Sequence, residues 1–453
     1  MIRIEKEPVI RVGLAADAGA VHVRLKGAFQ SVDGERLNGG DYIIEPHNNC
    51  LRLVGPSGSV DRNESTAPVA GRIRLSPADV ADCTFTVEGV TIGVDFHWQR
   101  QETLSFQGSI EAVRTEGGVQ VINEIPVESY LASVISSEMS ASCPGALLRA
   151  HAIVSRSWLL AQLTKNASPE PGPGTSEAGD RLIRWYGRES HKDFDVCADD
   201  HCQRYQGITK AVGTAAFDAV RATRGEVLVY DDNICDARYS KCCGGMTERY
   251  SAAWDDIDVP YLSPIYDGAS QLVPDWLPLT TEANAERWIR SSPAAYCNTR
   301  SEELFSRILT GFDQETVDFY RWEVAHDPED LTDILNEKLG IDFGRIVDLI
   351  PVERGESGRI IALKITGEKR SLTIGKELEI RRALSRSHLY SSAFVVRKEK
   401  TGAGNDRFRL IGAGWGHGVG LCQIGAAVMA DSGIGNSDIL SHYFKGAATV
   451  NIY

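Results

Sequence analysis

The stretch SHKDFDVCADDHCQRY, Ser190 to Tyr205, offers His191, Cys197, His201 and Cys202 within twelve residues, joined by four aspartates. Thiolate and imidazole at such short spacing are what a tetrahedral zinc site requires. Three of them, His191, Cys197 and Cys202, leave a fourth position for water, another side chain or a ligand. The spacing is not a C-x-x-C pair, so a Cys197–Cys202 disulfide and plain free thiols stand as alternatives. Further upstream, Glu138 sits between Ser137 and Met139, where an amphipathic run stops just before Ser-Cys-Pro. A carboxylate placed there loses solvation to apolar neighbours, which favours its protonated form and suits a general acid working near neutral pH. The plainer alternative is a solvated glutamate at a helix end. Arg149 and Arg156 lie seven residues apart among Ala146, Ala150 and Ala152. Both share one helix face, where they either orient a carboxylate and grip a substrate or lie on the surface.

AGWGHGVGLCQIGA, Ala413 to Ala426, surrounds one tryptophan, one histidine and one glutamine with glycines at 414, 416, 418, 420 and 425. Glycine in an element interior costs about 0.5–1 kcal/mol relative to alanine, so such a run needs left-handed backbone or the close approach of another group. No Lys-Ser/Thr follows and no strong apolar strand precedes it, which argues against a phosphate-cradling loop. A tight corner around a buried histidine and a wall lining a ligand cleft both remain.

The elements that must position these residues are readable in outline. From Ile10 to about Ile122, short β-rich runs such as VIRVGL, VHVRLKG and GVQVIN alternate with turn residues. In IPVESYLASVISSEM, Leu131, Val134 and Ile135 recur at helical spacing up to Glu138, with Pro126 in a first helical turn. After a break at Ser140 to Cys143, Pro144 starts a second, alanine-rich helix to about Lys165. PEPGPGTSEAGD, Pro169 to Asp180, reads as a flexible surface loop by composition. Strands return in TRGEVLVYDDNICDARYS, about Gly268 to Gly340 reads as helical, and Arg345 to Phe394 as strands with a hairpin in VERGESGRIIALKI. No internal repeat is visible. The expected fold class is α+β, a β-rich N-terminal part followed by a mixed core containing the alanine-rich helix and the glycine-rich loop.

Charge and composition exclude several classes. At 453 residues, 42% hydrophobic and 24% charged, the chain has the makeup of a globular protein large enough for two or three domains. A formal charge of -14 argues against a nucleic-acid partner, whose phosphates are bound by clustered Lys and Arg. No run of 18 apolar residues occurs, so no membrane span is expected. MIRIEKEPVIRVGL has no apolar core between a basic end and a cleavage site, so by sequence alone the chain is expected in the cytoplasm, although a removed leader or a late start codon would look the same. The ten cysteines are scattered along the chain rather than arranged as a disulfide framework.

Five blocks, VESYLASVISSEM, AHAIVSRSW, DVCADDHCQRYQG, ARYSKCCGGMTE and GAGWGHGVGLCQIGA, resemble in this order the SpoIID/LytB family, the stage II sporulation D proteins and amidase enhancers. The resemblance covers roughly residues 105–265 and 345–453. It implies a lytic transglycosylase that cleaves the MurNAc–GlcNAc bond of peptide-stripped peptidoglycan strands and leaves 1,6-anhydro ends, working in the cell envelope. By position, the family's catalytic acid falls on Glu138, its arginine on Arg156, its zinc ligands on His191, Cys197 and Cys202, and its glycine-block histidine on His417. Cys422 stands where the family usually has serine. Most glycosidases need two carboxylates flanking the bond, and none is conspicuous beside Glu138. If the sugar's own C6 hydroxyl is the nucleophile, one glutamate suffices as acid and then base. Trp415, His417, Gln423 and Tyr205 are the candidate substrate contacts, with the glycines letting backbone approach a flat sugar chain.

On this reading residues 1–122 form the β-rich N-terminal region, 123–267 and 395–453 the two parts of a catalytic core, and 268–394 an intervening α/β segment. The expected partners are glycan strands and a cell-wall amidase. A non-catalytic module that stimulates an N-acetylmuramoyl-L-alanine amidase is the alternative from another class, and a zinc hydrolase centred on His191 is a third.

Overall fold

The computed structural model describes residues 3–55, 71–80, 82–94, 96, 98–166, 174–186, 191–400 and 406–453. Two compact units emerge: Met1–Ser142 with His191–Glu226 and Asn451–Tyr453, and Cys143–Ser190 with Val227–Val450. As expected of an α+β chain with a β-rich start, the first unit is built on two sheets. One runs in the order Val196–Cys197, Val9–Ala18, Val119–Pro126, Ser109–Arg114, Arg72–Pro77, Phe29–Ser31, Arg36–Leu37. The other is ordered Cys50–Val54, Gly40–His47, Val21–Lys26, Thr84–Ile92, Arg100–Phe106.

Period-two alternation drives these strands. In VHVRLK, Val21, Val23 and Leu25 are buried while His22, Arg24 and Lys26 face outward, so a single-residue slip in register would turn the apolar set to water. Phe85 and Phe106 stack with centroids 5.4 Å apart beneath the second sheet. Almost all pairing is antiparallel; Val196–Cys197, however, runs parallel to Val9–Ala18, with Cys197 opposite Gly13. That edge brings the cysteine segment onto the sheet. It depends on Gly13, because a Cβ there would lie 2.5 Å from the Phe194 ring.

Helix α1, Val127–Glu138, follows the strand Val119–Pro126 without a loop. Pro126 was expected inside the helix; it instead ends the strand opposite Val9 and caps the helix in an extended conformation, a junction that loses nothing from its missing N–H. The helix is buried around nearly its whole circumference, and two of its serines bond back to its own carbonyls. Ser136 and Ser137 donate to the carbonyls of Ala132 and Ser133, each at 2.8 Å.

In the second unit, α2, Gly145–Asn166, is buried throughout its middle turns. Ala150 and Ala152 are fully buried on α2, which packs against the helices Gln423–Asp431 and Asn436–Tyr443. A five-stranded sheet, Thr175–Ala178, Arg181–Arg184, Ser371–Gly375, Ile360–Gly367, Ile346–Arg354, packs with helix Pro328–Leu339 around Leu331, Leu335, Phe343, Ile365 and Ile374.

Three expectations are revised here. The part of Pro169 to Asp180 within the described residues is not a free loop: Thr175–Ala178 forms a hairpin with Arg181–Arg184, which buries Leu182 and joins Ser371–Gly375 in parallel. Residues 169–173 lie outside the described residues. The 268–340 stretch is helical at Glu282–Ser291, Glu302–Ile308 and Pro328–Leu339, but Arg321–His326 is a strand, held by Asp406–Ala413 far along the chain. Within 345–394 the strands are joined by a helix, Glu377–Ala383.

Candidate functional site

Glu138 is the last residue of α1, and Met139 beyond it turns extended. Its side chain is only 8% exposed. The backbone N–H of Arg204 donates to Oε1 at 3.0 Å, and the N–H of Gln206 reaches the hydroxyl of the preceding Ser137 at 3.3 Å. The end of the helix is therefore clasped by the segment Gln203–Gln206. The aromatic stack beneath it fixes that segment. Tyr130 of α1 stacks on Tyr205 at 5.0 Å, Tyr205 leans on Phe106 at 5.7 Å, and the Tyr130 hydroxyl donates to Gln203 at 3.1 Å. Arg204 lays its guanidinium over Trp98 at 4.7 Å and pairs with Asp200 at 2.8 Å.

The same segment begins in the cysteine–histidine cluster. His191 Nε2 stands 3.3 Å from Cys202 Sγ, and His201 Nδ1 stands 3.5 Å from Cys202 Sγ and 3.9 Å from Cys197 Sγ. All four ligand atoms lie within 4.8 Å of one another. His201 thus offers the fourth position that the sequence left open, and its place next to Cys202 and four residues after Cys197 was the available signal. Hydrogen bonds with Cys202 hold the Cys197 thiol well below the ordinary range; burial opposes this, and His191 and His201 add to it. Two imidazoles and two thiols on one loop form an N2S2 set that fits a tetrahedral zinc ion better than a hard cation, which would prefer oxygen. All ten cysteines are free thiols, so Cys197 and Cys202 are not a disulfide. Asp199 anchors the loop by accepting from the N–H groups of Gly93 at 3.0 Å and Val94 at 2.6 Å, and burial next to Asp200 pushes its carboxyl up to about 6.

In the second unit, Gly414, Gly416, Gly418 and Gly420 all have positive φ. What comes close to them is the protein itself. A Cβ on Gly418 would lie 2.3 Å from the Arg359 guanidinium carbon. That guanidinium donates to the carbonyls of Gly416 and Cys243 and to the Ser357 hydroxyl, while buried Glu248 accepts from Ser357 at 2.7 Å and its N–H bonds the Gly418 carbonyl at 2.9 Å. The other glycines are likewise approached by the chain itself, Gly414 by the backbone of Cys242 and Cys243, Gly416 by Ser240 and Gly420 by the Arg238 carbonyl, where a sugar chain was first expected.

Trp415 stays partly exposed, stacked on Tyr390 at 4.2 Å and tilted against Phe319 at 4.9 Å. His417 packs edge-on to Trp254 at 4.7 Å, and its Nδ1 accepts from the Val419 N–H at 3.0 Å. Desolvation, with Arg238, Arg381 and Arg359 nearby, pushes its imidazole well below the ordinary value and keeps it neutral. Gln423 is 1% exposed and bonds His151 Nε2 of α2 at 3.0 Å. Arg156, on the same helix, is fully buried, so the surface alternative for it does not hold.

Residues 115–230 match the family model described as stage II sporulation protein, and residues 248–420 match a second model described as a domain of unknown function. The chain is 23% identical over 325 residues to stage II sporulation protein D of Bacillus amyloliquefaciens, covering 72% of this chain and 74% of that protein. It is also 23% identical over 344 residues to the protein of the same name from Bacillus subtilis, covering 75% and 78%. The amidase enhancer of Bacillus subtilis is 25% identical over 244 residues, which spans 50% of this chain and 31% of that longer protein. The family-model match and these relatives support assignment of the chain to the SpoIID/LytB family.

The first unit brings together Glu138, Tyr205, His191, Cys197 and Cys202, and the second carries Arg156, Trp415, His417 and Gln423. Two of the expected substrate contacts are corrected by burial. Tyr205 is 1% exposed and donates its hydroxyl to Asn123, and Gln423 is equally covered, so each supports its surroundings from below rather than meeting a sugar. Among the described residues no helix is long and apolar enough to cross a membrane.

Proposed function

We propose that this chain is a peptidoglycan lytic transglycosylase acting at the cell envelope, with Glu138 as its acid and then its base. The observation that carries the reading is a carboxyl 8% exposed at a helix end, gripped through one oxygen by the Arg204 N–H. Such a group is sheltered from water and held in one orientation, as a proton donor and acceptor must be. It would protonate the bridging oxygen as the MurNAc–GlcNAc bond breaks, then accept the proton of the C6 hydroxyl as that oxygen closes the 1,6-anhydro ring. No activated water enters, so one carboxyl is enough. The names of the relatives, stage II sporulation protein D and amidase enhancer, are consistent with work on the cell wall.

Arg156, Trp415 and His417 are assigned to this reaction through the family resemblance, each to be tested by its own substitution. We assign zinc to His191, Cys197, His201 and Cys202. With four protein ligands the ion would have no open position, so the chemistry it supplies is a cross-link. The residues it would hold lead directly into Gln203–Gln206, the segment that clasps Glu138.

Peptide-free glycan strands are incubated with the wild type and with Glu138→Gln, and products are read by mass spectrometry. Anhydro-muramic ends from the wild type and a loss of at least about 100-fold in the variant are expected for a missing general acid. An equally active variant that loses its activity on chelation would instead make the zinc cluster the catalyst. The amidase-enhancer match favours a second reading, a non-catalytic module that stimulates a cell-wall amidase. Retained glycan binding with no product from either protein would support that one.

A further inference from the structure

The second unit contains a buried group of metal-type ligands that the proposed reaction does not use. Cys243, Asp267, Cys297 and Cys422 are each no more than 2% exposed, and one ligand atom from each lies within 4.8 Å of the other three. They come from four separate places: the CCGG turn, the loop after Ile265, the segment before Asn298, and the N-cap of helix Gln423–Asp431. Cys243 Sγ stands 3.6 Å from Cys297 Sγ and 3.2 Å from Asp267 Oδ2. In a tetrahedral zinc site with Zn–S near 2.3 Å, two sulfurs on one ion stand about 3.7 Å apart and a sulfur and an oxygen slightly closer. Cys243 and Cys297 already have the spacing of co-ligands.

The surroundings match as well. Cys422 Sγ accepts from the N–H groups of Cys243 at 3.2 Å and Gly425 at 3.4 Å, and Cys243 Sγ accepts from Gly245 at 3.4 Å. Such contacts stabilise sulfur as thiolate. Asp267 accepts at Oδ1 from the Tyr443 hydroxyl at 2.7 Å, with His442 Nε2 at 3.3 Å, and Oδ2 is the oxygen that faces Cys243. This is how a ligating carboxylate is aimed by its outer partners. Buried thiols also serve as small apolar fillers. Filler does not account for a carboxylate of 0% exposure among them.

We propose that Cys243, Asp267, Cys297 and Cys422 bind a structural zinc ion, in addition to the one assigned to the His191 cluster. Three sulfurs and one oxygen fill its coordination, so it takes no substrate. It ties the CCGG turn, whose Cys243 carbonyl accepts from Arg359, to the end of the glycine-rich loop. Net negative charge on the site is offset by the N–H donors and by the N-terminus of the nine-residue helix Gln423–Asp431.

The test counts zinc in the full chain purified from zinc-supplemented medium, beside a variant with His191→Ala and Cys202→Ala, which leaves the buried cluster intact. Two zinc ions per chain are expected in the wild type and one in the variant. X-ray absorption on the variant should then show three sulfurs near 2.3 Å and one oxygen near 2.0 Å. A wild type holding a single zinc with two nitrogens and two sulfurs overturns the proposal, as does a folded variant holding none. If the variant does not fold, the wild-type count and ligand set decide alone. If the double substitution Cys297→Ser, Cys422→Ser leaves the wild-type count unchanged, the assignment also falls. None of these readouts uses glycan cleavage, so a failure of the catalytic reading leaves the zinc result standing.

Discussion

At the scale of single residues, the glycine loop shows how composition can be right about strain and wrong about its cause. The run from Gly414 to Gly420 announces positive φ, and the structure has it at all four even-numbered positions. Which atoms press against those glycines was not legible, because Arg238, Ser240, Cys242 and Arg359 come from elsewhere in the chain. Gly418→Ala should cost about 1–3 kcal/mol, since it combines a left-handed residue with a Cβ 2.3 Å from Arg359. Gly433→Ala, also at positive φ but facing open space, should cost only the left-handed strain of about 1–2 kcal/mol. Urea midpoints of the two variants check the difference, and equal losses would mean that the Arg359 contact contributes nothing.

Helices α1 and α2 were legible at the scale of elements because their apolar spacing is strong and a Ser-Cys-Pro break separates them. Strand Arg321–His326 was not, because its six residues pair with a partner more than 80 positions away and carry no local turn signal of their own. The Gln203–Gln206 segment was visible only as the tail of a metal motif, yet it is what holds Glu138. Tyr205→Phe should therefore destabilise the first unit by about 1–3 kcal/mol, because it leaves fully buried Asn123 without the hydroxyl it accepts from. Thermal unfolding would show this, and an unchanged midpoint would mean the bond is dispensable. His201→Ala should release the zinc of the first cluster and lower the unfolding temperature, which metal analysis and calorimetry on the same sample can follow.

For the whole molecule, stability should depend on acidity through His151. Burial, with Lys241 nearby, lowers its imidazole from about 6.5 to about 3 in the folded chain. The unfolded chain binds a proton there as pH falls below about 6.5, whereas the folded chain resists until about 3. The stabilisation is therefore complete above the unfolded value and is lost on acidification through that window. The loss is on the order of a few kcal/mol. His151→Gln should flatten this arm of a plot of urea midpoint against pH, while an unchanged slope would place the acid sensitivity elsewhere.

The sequence alone determined the α+β class and the two central helices and singled out Glu138 and the His191 to Cys202 stretch as candidates, because each is written in neighbouring residues whose spacing carries its own physical meaning. Tertiary structure decided that Glu138 is sheltered, that Tyr205 and Gln423 lie beneath the surface, and that Cys243, Asp267, Cys297 and Cys422 meet. Those facts depend on segments far apart in the chain being packed against one another, and burial has no local signature: a side chain loses its water only when something distant covers it.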